Sequence, residues 1–205
     1  TNVSEYQIFQ RNIVNQADIL ISGVYSGTPN SIEASFNGGT FVTIDTNPTG
    51  GNFSGTLVNQ PVGQGTLTVR FNNDTGTIKA INNVGVGDIF VIAGQSNASG
   101  RGFNFNSYTH STLKASVFGN NDIWQELTDP TDSNLGQIDA ISSDNVNPNS
   151  PGNGGSPWPI VATDILANQG VPVAFIPTAK GGTSTIQWQP ATNHSDASTL
   201  YGSMN

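Results

Sequence analysis

The sequence predicts an α/β domain preceded by a small all-β module, because its hydrophobic pattern changes near residue 88. Before that point, short runs alternate apolar and polar residues, as expected of strands with one buried face. After it, apolar residues form continuous runs and one helical stretch, which is typical of strands covered on both faces by helices. We therefore expect an all-β module at residues 1–87 and an α/β domain at residues 88–205.

Seven short runs make up the expected all-β module. Each has β-branched or aromatic residues at every second position and is bounded by turn residues such as Gly38-Gly39. Seven strands at this spacing are typical of a small antiparallel β-sandwich of the Ig-like kind. We identify no exposed aromatic group for sugar binding, so we expect a spacer or stabilising role. The runs are residues 6–11, 19–25, 31–37, 41–45, 52–57, 66–71 and 77–84.

The α/β part is predicted from a strand, a helix and a second strand. Residues 89–93 (Ile-Phe-Val-Ile-Ala) are a continuous apolar run that Gly94 ends. The Ser-Pro-Trp-Pro segment at residues 156–159 opens a helix that Gly170 closes, and residues 171–176 form a second buried strand. The helix should bury a stripe of Val161, Ile165 and Leu166, and another helix should begin after Ser195-Asp196. Helix followed by strand is typical of a βαβ unit with a parallel sheet.

The segment between the first strand and this helix is expected to be a loop system. Residues 101–157 are rich in Asn, Ser, Asp and Gly, with one short strand at residues 113–118. A segment of this kind in a compact domain is usually functional. Its acidic residues do not have the spacing of an EF-hand calcium loop, so we interpret them as solvated carboxylates. They are Asp129, Asp132, Asp139 and Asp144.

Composition excludes several kinds of site. The chain has no cysteine, which excludes disulfides, thiolate metal ligands and a cysteine nucleophile. Its two histidines, His110 and His194, lie far apart in sequence and belong to no ligand-spaced cluster, so a zinc site is not expected. We therefore predict chemistry without a metal or another cofactor.

Charge favours an extracellular or cell-surface location. Charged residues make up 10% of the chain, whereas they are about 25% of an average soluble domain. The net charge of −8 leaves no basic face for nucleic acid, and no apolar run is long enough to span a bilayer. The chain begins at Thr1 without Met, which we interpret as a processed or trimmed product and which fits export.

Two glycine-containing motifs follow the predicted buried strands. Gly94-Gln95-Ser96-Asn97 leaves the first strand and Gly181-Gly182-Thr183 leaves the second. Ligands collect at the carboxyl ends of parallel strands, so both motifs should lie on one edge of the sheet. Gly94 allows a sharp turn that presents the Ser96 hydroxyl. The amides of Ser96 and of Gly181 or Gly182 can then form an oxyanion hole, in which one donor is worth about 3 kcal/mol of barrier.

These motifs resemble those of a known family. Strand-Gly-Gln-Ser-Asn is similar to the first block of the SGNH-type sialate O-acetylesterase and carbohydrate esterase family. Lys-Gly-Gly-Thr-Ser at residues 180–184, with Trp188, resembles the second block. The helix and strand between the blocks are similar in order and spacing. The all-β segment resembles the module that precedes some members.

The resemblance implies removal of acetyl groups from sugars with Ser96 as nucleophile and without a cofactor. Its oxyanion hole would use the amides of Ser96 and of Gly181 or Gly182, with a side chain from a later Gln-Gly-Glu block. Its base would be a histidine from a still later Asp-x-x-His block. Neither later block occurs in these 205 residues. The implied fold is an SGNH hydrolase-like parallel sheet with flanking helices, of which residues 88–205 are the N-terminal portion.

Three explanations account for the missing base. The sequence is incomplete, His194 substitutes as base, or the protein is a non-catalytic relative. We favour the first, because two or three strands alone would leave an apolar face of the sheet exposed. His194 is flanked by Asn193 and Ser195-Asp196, which is typical of a solvent loop. A non-catalytic relative has no need to keep both motifs intact.

Five residues near the motifs are candidates for contact with an O-acetylated glycan. Arg101 can engage a carboxylate on an acidic sugar, and Trp188 can either stack on a sugar ring or pack in the core. Gln95, Asn97 and Thr183 belong to the motifs themselves. The function expected is thus a carbohydrate O-acetylesterase. The alternative is a glycan-binding or structural protein of a cell or virion surface on an esterase scaffold.

Overall fold

The computed structural model describes residues 1–141 and 153–204, so Asp144 of the acidic group lies outside the described residues. The chain divides into two compact units, Thr1–Asp88 and Ile89–Asn205. The division falls where the hydrophobic pattern of the sequence changes. None of the described helices is long and apolar enough to span a membrane.

Seven strands begin in the first unit. β2 shows why they form: Ala17, Ile19 and Ile21 are buried while Asp18 and Leu20 between them are exposed, which is the period of a strand with one face in a core. The strands are β1 (Ile8–Gln10), β2 (Gln16–Val24), β3 (Ile32–Phe36), β4 (Val42–Asp45), β5 (Asn52–Pro61), β6 (Gly63–Phe71) and β7 (Ile78–Ile92). They agree with the expected runs within a few residues at most ends.

Two sheets of this unit share one core. In the larger sheet, β4, β3, β6 and β7 are successive neighbours, and β1 pairs with β7. β2 and β5 form a separate antiparallel pair. Buried side chains of both sheets pack together, among them Ile19 of β2, Leu57 of β5, Ala34 of β3, Leu67 of β6 and Val84 of β7. Alternation along each strand therefore supplies a core between the sheets.

The pairing of β1 corrects the expectation of a purely antiparallel arrangement. β1 runs parallel to β7, with Ile8 opposite Gly85. Arg11, just after β1, binds Asp88 through two hydrogen bonds of 2.8 Å, from Nε and from Nη2. The hydrogen bonds that Arg11 donates to Asp88 raise the pKa of Arg11. Asp88 is therefore the ion-pair partner of Arg11, a role that local sequence does not reveal.

β7 joins two runs that the sequence analysis kept apart. Residues 77–84 and 89–93 were expected to be separate strands, whereas one 15-residue strand covers most of both. The prediction that the second run is buried on both faces is also wrong, because the side chain of Phe90 is 43% exposed and that of Val91 is 50% exposed. An apolar run indicates a preference for burial, but neighbouring elements decide which of its side chains are covered.

In the second unit, residues 89–141 and 153–204 contain the end of β7, three further strands and two α-helices. The strand order is β7, β10, β8, β9, with β10 parallel to β8 and β8 antiparallel to β9. The new elements are α1 (Ser96–Ser99), β8 (Ser116–Phe118), β9 (Trp124–Glu126), α2 (Trp158–Gln169), β10 (Val173–Pro177) and a 3-10 helix (Gly202–Met204). The described part of the chain thus has both parallel and antiparallel strand pairs, with few helices.

The helix predicted after residue 156 is confirmed as α2. Gly170 ends it in the left-handed region, at φ 64°, and its N–H donates to Leu166 O. Of the expected apolar stripe, Leu166 is fully buried, while Val161 and Ile165 are partly buried against the core. β9 was not expected. Within residues 197–204, a short 3-10 helix forms instead of the expected regular helix.

Candidate active site

The first motif forms a tight turn at the end of β7. Gly94 has a φ of 147°, a conformation that side-chain-bearing residues rarely adopt, and a Cβ there would lie 3.0 Å from the Ala98 Cβ. The carbonyl of Gln95 then accepts the amides of Ala98 at 2.8 Å and Ser99 at 3.2 Å. This arrangement places Ser96 at the start of α1, where it is half-buried.

The Ser96 hydroxyl is directed at a neutral acceptor. Its Oγ lies 2.9 Å from Gln95 Oε1 and donates to it. A serine hydroxyl has one proton to donate, and an amide oxygen does not remove it. Gln95 and Asn97 on either side are exposed. Ser96 is therefore accessible, and in this arrangement its proton is not held by a general base.

The two motifs meet at one edge of the sheet. Thr178 N donates to Ile92 O at 3.0 Å, and Lys180 N donates to Gly94 O at 2.9 Å. The residue numbers of the donor and of the acceptor both increase from one hydrogen bond to the next, so the ends of β7 and β10 run parallel. The second motif therefore begins beside the turn that carries Ser96, as expected from the order of the elements.

Thr183 strengthens the contact between the motifs. Its Oγ1 lies 2.7 Å from Lys180 O and 3.4 Å from Gly94 O, and it accepts the indole N–H of Trp188 at 3.0 Å. One hydroxyl proton serves both carbonyls, so the shorter bond to Lys180 O is the stronger one. Trp188 is half-buried, and its N–H is used within the protein. Its contact with a sugar ring stays a prediction.

The two glycines of the second motif lie on this edge and differ in their exposure to solvent. Gly181 is half-buried and Gly182 is exposed, with a φ of 75° at Gly182. Both follow Lys180, whose amide contacts Gly94 O. The proposed donors, the amides of Ser96 and of Gly181 or Gly182, thus belong to two segments that touch. Their joint action as an oxyanion hole stays a prediction.

Cationic side chains lie close to the motifs. Arg101 Nη1 donates to Asn153 Oδ1 at 3.1 Å, and Lys180 Nζ donates to the carbonyl of Ile141. Lys180 and Thr183 also line a cavity of about 290 Å³, together with Gln187. This cavity lies beside the second motif. Contact of Arg101 with substrate remains an expectation.

A larger cavity lies at the ends of β8 and β10. It has a volume of about 440 Å³, and its lining includes Asn120, Asp139 and Thr178. None of its described lining residues belongs to either motif. We therefore assign the candidate site by the contact between the motifs and not by cavity size.

Each of the two histidines has a contact with residues outside the two motifs. Nδ1 of His110 accepts the backbone N–H groups of Thr112 at 3.2 Å and Leu113 at 2.9 Å, which closes a turn. His194 is exposed, with its ring edge-to-face to Tyr201 at 5.7 Å. Within residues 1–141 and 153–204, no three His, Asp or Glu side chains are grouped as metal ligands.

The sequence did not predict the hydrogen bond that holds the C-terminal end of the Ser96 turn. Trp158 Nε1 donates to Ala98 O at 2.7 Å. The sequence marked Trp158 only as part of the start of a helix. No sequence signal could have found this contact, because its acceptor is a backbone carbonyl 60 positions away.

The comparisons give the following matches. A family model described as carbohydrate esterase, sialic acid-specific acetylesterase, matches residues 86–204. No curated protein matches the chain. Among solved structures, XAC1771, a carbohydrate acetylesterase from Xanthomonas citri, is 18% identical, with a TM-score of 0.49 over 97% of this chain and 45% of its own. An Arabidopsis thaliana protein, AT4G34215, is 20% identical, with a TM-score of 0.38 over 57% of this chain and 47% of its own. The chain spans less than half the length of either protein.

Proposed function

Because the chain belongs to the sialic acid-specific acetylesterase family of carbohydrate esterases, we propose that it is part of a serine esterase that removes O-acetyl groups from carbohydrates. The observation that carries the proposal is the hydrogen bond from Lys180 N to Gly94 O, 2.9 Å long. It joins the serine turn to the segment whose glycine amides can stabilise an oxyanion. The substrate is an O-acetylated glycan.

The proposed reaction begins with attack of Ser96 Oγ on the acetyl carbonyl carbon. The carbonyl oxygen becomes an oxyanion, held by the amides of Ser96 and of Gly181 or Gly182. Collapse breaks the ester bond, and the sugar oxygen leaves with the proton that the base took from Ser96. Water then attacks the acetyl-serine by the same route, which releases acetate and restores the hydroxyl.

We propose that the base lies outside residues 1–205. Ser96 Oγ donates to Gln95 Oε1, and the contacts of His110 and His194 described above are with other residues. The family resemblance supplies a candidate, the histidine of an Asp-x-x-His block. A rotation of the Ser96 hydroxyl away from Gln95 would then direct its proton to that imidazole.

We also propose that the protein has an SGNH hydrolase-like domain after an Ig-like β-sandwich, and that it is extracellular or at the cell surface. The parallel β10 and β8 pair and the α2 helix before β10 support an SGNH hydrolase-like domain from residue 88. The two sheets with a common core support an Ig-like β-sandwich before it. The low fraction of charged residues, 10%, supports an extracellular or cell-surface location.

Hydrolysis of an aryl acetate tests the proposed nucleophile. General-base assistance typically contributes about a hundred- to ten-thousand-fold, so residues 1–205 alone should hydrolyse the ester feebly. A version that includes the Asp-x-x-His block should turn over readily, and Ser96→Ala should abolish that turnover. His194→Ala is the matched control and should leave the rate nearly unchanged. Full activity of residues 1–205 that His194→Ala removes would show that His194 is the base.

A second candidate function is glycan binding without catalysis. The observation that favours it is the Ser96 hydrogen bond to Gln95 Oε1, which leaves the nucleophile without a base in this arrangement. A fluorophosphonate probe separates the two candidates. Labelling of Ser96 in the version with the Asp-x-x-His block supports the esterase. Absence of labelling together with retained binding of O-acetylated glycan supports the binding protein.

A further inference from the structure

One carbonyl near the end of α1 accepts a hydrogen bond from outside that helix. α1 has four residues, and its last turn is closed by Gly100 N on Ser96 O at 3.1 Å. The carbonyls at the end of a helix have no intrahelical donor and need another one. For Ala98 O that donor is the indole N–H of Trp158, at 2.7 Å. The turn that carries Ser96 is thus hydrogen-bonded to a side chain of a different helix.

We propose that Trp158 is a positioning residue for Ser96, whose indole N–H fixes the orientation of the serine turn. This inference rests on the proposed esterase function. Lys180 N holds the start of the turn through Gly94 O, and Trp158 holds its end through Ala98 O. Ser96 lies between these two fixed points. A nucleophile must be held in the attacking geometry, since a displacement of 1 Å can cost about a hundredfold in rate.

The indole is itself held in place. Its ring packs against Phe175 of β10 with centroids 5.7 Å apart, and Trp158 begins α2. The preceding Ser156 is 3% exposed, and both its amide and its hydroxyl donate to Asp129, at 2.9 and 2.6 Å. A donor with so little freedom can restrain its acceptor, because little rotamer entropy is lost when the bond forms.

The chain is closely packed where the serine turn ends. Gly100 has a φ of 94°, and a Cβ there would lie 3.0 Å from the Ser156 Cβ and 3.2 Å from Gly155 O. Loss of the indole N–H should remove the bond from α2 to the Ala98 carbonyl, and the turn should gain mobility. Ser96 would then spend less time in the attacking geometry.

Trp158→Phe removes the N–H and keeps an aromatic ring against Phe175. In the active protein we expect kcat to fall by about tenfold to a hundredfold, with KM nearly unchanged, because the change affects the nucleophile and not the sugar. Trp124→Phe is the matched control: Trp124 is also half-buried and ring-packed, against Phe118 at 5.2 Å. It should leave both constants unchanged. An unchanged kcat in Trp158→Phe, in a protein that Ser96→Ala inactivates, would overturn the proposal.

Amide hydrogen exchange tests the positioning without reference to activity. In Trp158→Phe, exchange of residues 96–100 should become about tenfold faster, while β10 and the rest of α2 keep their protection. Unchanged exchange at residues 96–100 would overturn the inference even if the protein proved not to be an esterase. If Trp158→Phe does not fold, the proposal is tested by indole exchange in the unaltered protein. Its Trp158 indole N–H should exchange at least about tenfold more slowly than free indole, and free-indole exchange would contradict the proposal.

Discussion

At the scale of single residues, the Asp129 carboxylate ties together three segments of the loop system in the second unit. Oδ2 accepts the amides of Asn106 at 2.8 Å and Ser156 at 2.9 Å. Oδ1 accepts the hydroxyls of Ser156 at 2.6 Å and Thr131 at 3.0 Å. A carboxylate accepts without donating, so it suits a position that donors surround. Asn106, Thr131 and Ser156 are therefore tied to one carboxylate just before α2, which carries Trp158.

Asp129→Asn should destabilise the protein, because an amide N–H₂ would face N–H or O–H donors. Leaving such a group unsatisfied costs about 1–3 kcal/mol, which denaturant unfolding can measure. Asp164→Asn is the matched control, since Asp164 is exposed on α2. Its effect should stay within about 0.5 kcal/mol. Equal stability of the two variants would show that the Asp129 bonds contribute little.

Asp196 provides a prediction on pH. The hydrogen bonds from the Ser198 hydroxyl, at 2.6 Å, and the Ser198 amide, at 3.0 Å, lower the pKa of Asp196 below its usual 3.8. A depressed carboxyl pKa contributes stability that is present above the unfolded pKa and lost as pH falls through the folded pKa. Carbon-detected NMR titration should give a midpoint below 3.8. In Ser198→Ala the midpoint should rise, and an unshifted midpoint in that variant would contradict this cause.

At the scale of elements, two glycines end helices under different constraints. Gly170 ends α2 with a φ of 64°, and nothing lies within 4 Å of a Cβ added there. Gly100 ends α1 with a φ of 94°, and an added Cβ would meet Ser156 and Gly155. Substitution of Gly170 is therefore restricted by backbone conformation alone. Substitution of Gly100 is restricted by both conformation and packing.

The substitution of each glycine by alanine separates these effects. Gly170→Ala should cost about 1–2 kcal/mol, the usual penalty of a left-handed conformation for an L-residue. Gly100→Ala should cost more, and in an active protein it should also lower kcat, because the serine turn must shift away from Ser156. Denaturant unfolding of both variants measures the difference. A smaller cost at Gly100 than at Gly170 would show that the packing around α1 yields easily.

At the scale of the whole molecule, the two units have separate cores. All buried residues of the first core lie between Val3 and Val86, and all those of the second lie between Ile92 and Ala179. A segment of this size with its own apolar core is long enough to fold alone. The units should therefore be separable, although β7 extends through both.

The segment Thr1–Asp88 should unfold cooperatively when expressed by itself, as thermal circular dichroism can measure. Leu67→Ala provides the internal check, because Leu67 is fully buried in this core and such a deletion costs about 2–5 kcal/mol. It should lower the midpoint of the isolated segment and that of the corresponding transition in the whole chain. A broad, non-cooperative loss of signal from the isolated segment would show that the first core depends on the rest of the chain.

The sequence by itself determined the local elements and the residues that carry the motifs. Period-two alternation located the strands of the first unit, and Gly170 located the end of α2, because these signals depend on neighbouring residues. Gly94 was singled out for a sharp turn, and it has a positive φ. The order of strands, helix and motifs was sufficient to predict that the two motifs share one edge.

Only the tertiary structure decided the contacts between residues distant in sequence. It made β1 parallel to β7, exposed Phe90 and Val91, and brought the Trp158 indole to Ala98 O. These outcomes depend on which elements pack together. Packing decides the direction in which two strands pair, which side chains of a strand are covered, and which backbone carbonyl accepts a hydrogen bond. A carbonyl looks the same at every position of a sequence, so its partner becomes known only when the chain has folded.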